Sequence, residues 1–240
     1  MKRILFLTLA VAMTACSPKN TVPSGNRSIL ADGWTLSRAG ASAQYTVQVP
    51  STVAGALSDA GFFAEDLMVA RNYEKADKAI FDDTWTYTKT FSGKPGKGQH
   101  AELVFDGLDY YADIFLNGKQ IASSDTTSGV FIRRIYDVTG LLKGQNKLEV
   151  KLRRAVKGDL NIGFVDWNPR PLDESMGITR PVSLHTTGAV SIEDVYVVPD
   201  LDVESFKTAD LCVRVRLQNK ENRPVNAEIV LNLGNDPVRG

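Results

Sequence analysis

The chain has 240 residues, 43% of them apolar, and equal numbers of basic and acidic side chains, 28 of each. That length suits one large domain, or one domain with part of another, and supplies ample material for a packed core. The balanced charge leaves no basic field to hold a nucleic-acid backbone, so a nucleic-acid partner is unsupported.

Lys2 and Arg3 precede an apolar run from Ile4 to Met13 that is too short to span a bilayer as a helix. Thr14 and Ala15 then lead to Cys16. This order resembles a bacterial lipoprotein signal, cut before a cysteine that becomes the acylated terminus; the alternative is an ordinary secretory signal with an incidental cysteine. Residues 1–15 are therefore read as signal peptide, Cys16 as the lipidation site and 16–26 as a flexible tether. The folded part is expected to start near Arg27, on an extracytoplasmic face, held to the membrane by its lipid. With Cys16 acylated, Cys212 has no partner for an intramolecular disulfide. No cysteine and histidine cluster suits a metal, and no metal or cofactor is expected. His100 and His185 are read as surface or hydrogen-bonded residues.

Strand-like runs begin at Gly33 to Ser37 and at Tyr45 to Val49. Val53, Ala56, Leu57 and Ala60 then recur at helical spacing, with Ser51 or Thr52 as N-cap and Gly61 as the residue after the C-cap. One short helix is expected there and little helix elsewhere. Residues 61–79 read as a long loop anchored by Phe62, Phe63, Leu67 and Tyr73. Asp83 to Phe91 alternates Trp85, Tyr87 and Phe91 with threonines; this aromatic face is read as core in preference to a sugar-stacking platform. In Ala101 to Ile121, Leu103 and Phe105 alternate, then Ala112, Ile114 and Leu116, and Asn117-Gly118 supplies the two positive-φ positions of a type I′ hairpin turn. Nothing in that stretch looks catalytic. After a turn over 139–145, Asn146 to Arg154 points Leu148, Val150 and Leu152 inward, with its charges on a solvated face.

Ala155 to Thr179 has no strand or helix period and is rich in Gly, Pro, Asp and Asn. Long irregular loops in compact domains are often functional. Here Trp167 stands between Asp166 and Asn168, and Pro169 and Pro171 stiffen the chain. An aromatic face beside a carboxylate and an amide is what sugar recognition needs. The other reading is a loop folded onto the sandwich with Trp167 as its packing anchor, and the residues alone leave the two open. The acids of this loop, Asp166, Asp173 and Glu174, read as solvated and not as a catalytic pair.

Further strands are expected at Arg180 to Thr186, Ser191 to Val198, Leu211 to Leu217 and Ala227 to Leu233. The last three suggest a second, immunoglobulin-like sandwich over 188–240, about half the roughly 100 residues such a domain needs, and it is read as incomplete with unpaired edges.

Four stretches together resemble the start of a glycoside hydrolase family 2 protein, of the exo-β-glucosaminidase and β-mannosidase branch. They are VPSTVAGAL with the downstream Phe81, Trp85, Tyr87 and Phe91; LVFDGLDYYADIFLNG; DVTGLLKGQNKLEV; and DWNPRPLDESMGITRPVSL. The resemblance implies an all-β chain, a galactose-binding-like jelly roll over 27–187 followed by a partial immunoglobulin-like sandwich over 188–240. It implies a β-linked glucosaminide or mannoside as partner in the full-length context, with Asp166 and Trp167 lining the sugar pocket, and the residue reading adds Asn168 as a substrate-binding candidate. It also implies that catalysis belongs to two glutamates on a (β/α)₈ barrel of roughly 250 residues, for which this chain has no room, so no catalytic residue is assigned here. Thr179 departs from the family, which usually carries Trp in a Gly-Ile-Trp run. A stand-alone carbohydrate-binding surface lipoprotein is the alternative reading, and a ligand-free interaction module a third.

Overall fold

The structure is a computed structural model, and it describes residues 12–14, 25–67, 69–161, 167, 170–233 and 236–238. The described chain is an all-β, antiparallel protein that divides into two compact units. The larger comprises Arg27–Pro95 with Ala101–His185; the smaller holds Met1–Asn26, Gly96–His100 and Thr186–Gly240.

Two sheets form the larger unit. One has six strands in the order Gln44–Val47, Trp34–Arg38, Trp85–Ser92, Gln145–Arg153, Tyr111–Leu116 and Lys119–Ala122. The other has four, in the order Arg134–Asp137, His100–Phe105, Val182–Thr187 and Asn26–Ile29. The non-consecutive neighbours make this a jelly-roll sandwich and not a meander. Alternation decides what fills it. Trp34, Leu36, Trp85, Tyr87, Ile114, Leu116, Leu148, Val150 and Leu152 from the first sheet and Leu103, Phe105 and Val182 from the second belong to one buried cluster. The aromatic face of Trp85–Ser92 is therefore core. Its register sets Tyr87 opposite Leu36 on one side and Val150 on the other. Burying such side chains stabilises by about 1.5–3 kcal/mol each, so the period-two stripes dominate the energetics. The solvated face of Gln145–Arg153 carries Lys147, Glu149, Lys151 and Arg153, with Lys147 and Glu149 paired at 2.9 Å.

Asn117 and Gly118 take φ of 54° and 82° and close the hairpin between Leu116 and Lys119. The helix spans Val53–Asp59, capped by Thr52, whose hydroxyl accepts the Gly55 N–H at 3.1 Å. Gly61 follows in the left-handed region at φ 71°. Short helical turns at Asn72–Lys75, Ala79–Asp82 and Ser124–Thr127 are the little helix found elsewhere, each too brief to carry a helical period in sequence. Two things differ from expectation. Phe62 is 39% exposed and contacts Tyr45 and Phe63 edge-on at the surface, so it is not an interior anchor. Asn26, read as the last residue of the tether, opens a sheet strand, Asn26–Ile29.

In the smaller unit, Val190–Leu201 pairs with Ala209–Asn219 along its whole length, with a bulge between Ile192 and Asp194. Glu228–Leu233 pairs with Asp236–Val238 and with Ala12–Thr14. Cys212 is a free, exposed thiol. Cys16 lies outside the described residues. Among the described residues no helix is long and apolar enough to cross a membrane.

Candidate functional site

The irregular segment leaves the Gln145–Arg153 strand and returns at Gly177–Ile178, which pairs with Ser51–Thr52. Both of its flanks are fixed. On the way out, the Asp159 carboxylate accepts the Tyr111 hydroxyl at 2.9 Å and the Val156 N–H at 2.7 Å. On the way back, Arg170 Nε donates to both carboxylate oxygens of Glu174, at 2.7 and 2.8 Å. The flanks are joined by Asn161, whose side-chain amide donates to the Glu174 carbonyl at 3.1 Å. Between these fixed ends stands Trp167, 81% exposed.

That exposure is unlike that of the interior tryptophans. A packing anchor is buried, as Trp34 and Trp85 are at 0% and 1%, each with its indole N–H given to a backbone carbonyl. Trp167 instead offers its ring to solvent from a pinned loop. Asp166 and Asn168, its expected partners in recognition, lie outside the described residues.

Beside the returning flank a cleft of about 410 Å³ opens, within the range of small-ligand pockets. Tyr111, Arg153 and Lys157 line it together with two ion pairs, Arg154 with Asp82 and Arg170 with Glu174. The Arg153 guanidinium lies 5.3 Å from the Tyr111 ring centre and donates to Ser124 Oγ at 3.0 Å.

The returning flank also brings in buried acids that sequence patterning does not reveal. Asp173 is 1% exposed, which corrects its reading as a solvated loop acid. Its carboxylate accepts the Ala54 N–H at 2.6 Å, in the first turn of the Val53–Asp59 helix, and the Ser175 N–H at 3.0 Å. The Thr52 hydroxyl also bonds to it. Helix-terminal amides favour an anion, so Asp173 works as a tertiary cap. Burial nevertheless pushes its carboxyl up, against the downward pull of those donors. Asp109 is fully buried, and neither of its carboxylate oxygens has a hydrogen-bond partner. Burial, reinforced by the charges of Asp173 and Glu174, pushes the Asp109 carboxyl up to about 7. The Tyr73 hydroxyl is likewise buried without a partner, and burial and then the same two acids raise its pKa. Tyr87 donates from its hydroxyl toward the Ser51 carbonyl at 3.4 Å and is raised strongly, first by burial and then by Asp173. The sequence signal for Asp109 was slight: one acid between Leu108 and Tyr110 in an otherwise apolar run. Among the described residues no group of three or more His, Cys, Asp or Glu is arranged to hold a metal.

The two histidines lie away from this region in role: His100 meets Glu221 at 3.5 Å, and His185 Nε2 meets Ser183 Oγ at 2.9 Å.

Comparisons with known proteins agree with this architecture. A family model described as glycosyl hydrolase 2 galactose-binding domain-like matches residues 34–163, more than half of the chain. An exo-β-D-glucosaminidase of Hypocrea jecorina is 37% identical over 185 residues, covering 75% of this chain and 21% of that protein. A mannosylglycoprotein endo-β-mannosidase of Lilium longiflorum is 31% identical over 202 residues, covering 72% of this chain and 20% of that protein. The chain thus spans about a fifth of the length of these curated relatives. Among solved structures, the exo-chitosanase of Amycolatopsis orientalis superposes with a TM-score of 0.75 at 22% identity, over 89% of this chain and 28% of that one, a likeness of fold. By the extent of the family match and the sandwich that carries it, the chain belongs to glycoside hydrolase family 2.

Proposed function

We propose that this chain forms the sugar-facing, non-catalytic amino-terminal part of a family 2 glycoside hydrolase acting on β-linked glucosaminides or mannosides. Its role is to present Trp167, with Asp166 and Asn168, to the terminal sugar. The observation that carries the reading is the 81% exposed indole on a loop pinned at both flanks. An aromatic ring held in this way covers the C–H face of a sugar with little ordering cost on binding. The names of the relatives, exo-β-D-glucosaminidase and endo-β-mannosidase, supply the substrate class.

We assign recognition and not bond cleavage to these residues. A retaining glycosidase needs two carboxyl groups about 5–5.5 Å apart across an accessible glycosidic bond. Asp109 and Asp173, the acids raised by burial, are closed to solvent at 0% and 1% exposure and meet no substrate. The purified chain is expected to leave aryl β-glucosaminides and β-mannosides unhydrolysed. It is expected to bind their oligosaccharides weakly, with Kd roughly millimolar, and Trp167→Ala should abolish that binding in calorimetry. Turnover that survives purification would give the chain a catalytic centre of its own. A sub-micromolar complex would instead make it a stand-alone carbohydrate binder.

The amino-terminal pattern adds a location. Lys2 and Arg3, the apolar run and Cys16 support acylation of Cys16 and anchorage to an extracytoplasmic membrane face. Mass spectrometry of the membrane-extracted protein should find a lipid-modified Cys16, and Cys16→Ser should release the chain into the soluble fraction. An unmodified cysteine in a chain that still sediments with membranes would refute the anchor.

A further inference from the structure

Among the described acids, Asp109 is alone in having both carboxylate oxygens buried without a hydrogen-bond partner. Buried polar groups are normally paired, and an unpaired buried charge is the most costly exception. The charge cannot be dispersed locally. The nearest acting groups are Asp173 and Glu174, both acidic, and the Glu174 carboxylate is already engaged by Arg170.

The backbone around this acid is a set of single ties. The Asp109 N–H donates to the Gly177 carbonyl at 2.9 Å, and the Gly177 N–H donates to the Asp109 carbonyl at 2.6 Å. The Val53 N–H donates to the Met176 carbonyl at 2.7 Å, and the Met176 N–H to the Asp173 carbonyl at 2.9 Å. Within the turn they hold, Glu174 and Ser175 take φ of 54° and 64°, two successive non-glycine residues in the left-handed region. Such a conformation costs of order 1–3 kcal/mol per residue and persists only where surrounding contacts impose it. The 171–177 turn is thus strained, and it is seated by the Asp109 backbone and by the Asp173 carboxylate, which accepts the Ala54 N–H.

We propose that Asp109 and Asp173 hold one proton between them in the folded chain, and that this proton is a latch: when it leaves, the 171–177 turn lifts from the Val53–Asp59 helix. Asp173 accepts backbone amides and so keeps its charge, while the proton resides mainly on Asp109, which has no donor to stabilise an anion. Losing the proton leaves an unpaired buried charge on Asp109 where Asp173 and Glu174 already act on it as like charges, and opening the turn is the local way to hydrate it. The other groups acting in this pocket do not offset that charge. Tyr73, from the Asn72–Lys75 turn, and Tyr87, from the Trp85–Ser92 strand, both have raised pKa values and stay neutral. Glu174 adds a like charge and is paired with Arg170, while Lys78 lies 5.7 Å from the Tyr73 ring centre. The inference does not depend on what Trp167 binds.

The test is amide hydrogen exchange on the full chain between pH 5 and 9, expressed as protection factors so that intrinsic base-catalysed exchange divides out. Protection at Ala54, Ser175, Met176 and Gly177 should fall about tenfold per pH unit from pH 5 and level off above about 7, the course of one-proton linkage for a carboxyl raised in the closed turn and ordinary in the opened one. The ladder amides of Trp85–Ser92 and Gln145–Arg153 should not follow. Asp109→Asn, a neutral isostere, should make the same four amides independent of pH. A level profile in the unaltered chain, or a slope retained in Asp109→Asn, overturns the latch. Should that variant not fold, carbon-13 titration of the carboxyl in the unaltered chain decides: a midpoint near 7 supports it, and one near 4, the ordinary aspartate value, overturns it.

Discussion

Gly177→Ala is expected to destabilise the larger unit by at least about 3 kcal/mol, the upper end of what overpacking costs. The reason is space, not backbone conformation. Gly177 pairs with Thr52 on one side and with Asp109 on the other. A Cβ placed on it would lie 2.4 Å from the Ser51 carbonyl oxygen and 2.6 Å from Thr52 Cα. Both are backbone atoms flanking the helix start, so no side chain can swing away to relieve the contact. The expected fall in Tm is roughly 6–12 °C, at about 2–4 °C per kcal/mol for a unit of this size. Gly144→Ala is the control: no atom lies within 4 Å of its added Cβ, and it should shift Tm negligibly. Equal melting of the two variants would show that the tight pairing at Gly177 is not maintained in solution.

The second large effect is a pH dependence centred on Asp109. Its carboxyl rises from the ordinary 3.8 to about 7 on folding. A group raised in the folded state favours folding fully below its unfolded value, and this contribution is lost as pH climbs toward the folded value. Stability of the larger unit should therefore decline between about pH 4 and pH 7 through this group. The shift corresponds to about 4 kcal/mol at 1.36 kcal/mol per pH unit, an upper figure because opening of the turn relieves part of the strain. Asp109→Asn removes the titration. It should match the unaltered chain to within roughly 1 kcal/mol at pH 4, before the linkage sets in, and exceed its stability by several kcal/mol at pH 8. Urea unfolding at the two pH values measures both numbers. A variant less stable than the unaltered chain at pH 8 would mean that Asp109 is ionised and paired in the native state.

How far the fold was legible depended on whether local spacing carried the signal. Period-two alternation located Leu148, Val150 and Leu152 in the core, Asn117-Gly118 located the hairpin, and Thr52 with Gly61 bounded the helix. These features are written in neighbouring residues. The buried acids are not. Asp109 and Asp173 become partners only through the pairing of Asp109 with Gly177, a contact between distant stretches, and an isolated aspartate reads as solvated because most are. The Trp167 loop was legible only as an irregular segment. Whether its indole packed inward or faced solvent depends on flanking ties such as Asn161 to Glu174, which no periodicity encodes.

The sugar-facing role of that loop is tested most directly by the indole N–H resonances. Trp34 and Trp85 are buried and donate to backbone carbonyls, whereas Trp167 is exposed, so the three signals report different environments. Titration of the full chain with a β-linked glucosamine or mannose oligosaccharide should move the Trp167 signal alone, with Kd roughly millimolar. A Trp167 signal that stays fixed while resonances elsewhere respond, or while none respond at all, would contradict a recognition role for this loop.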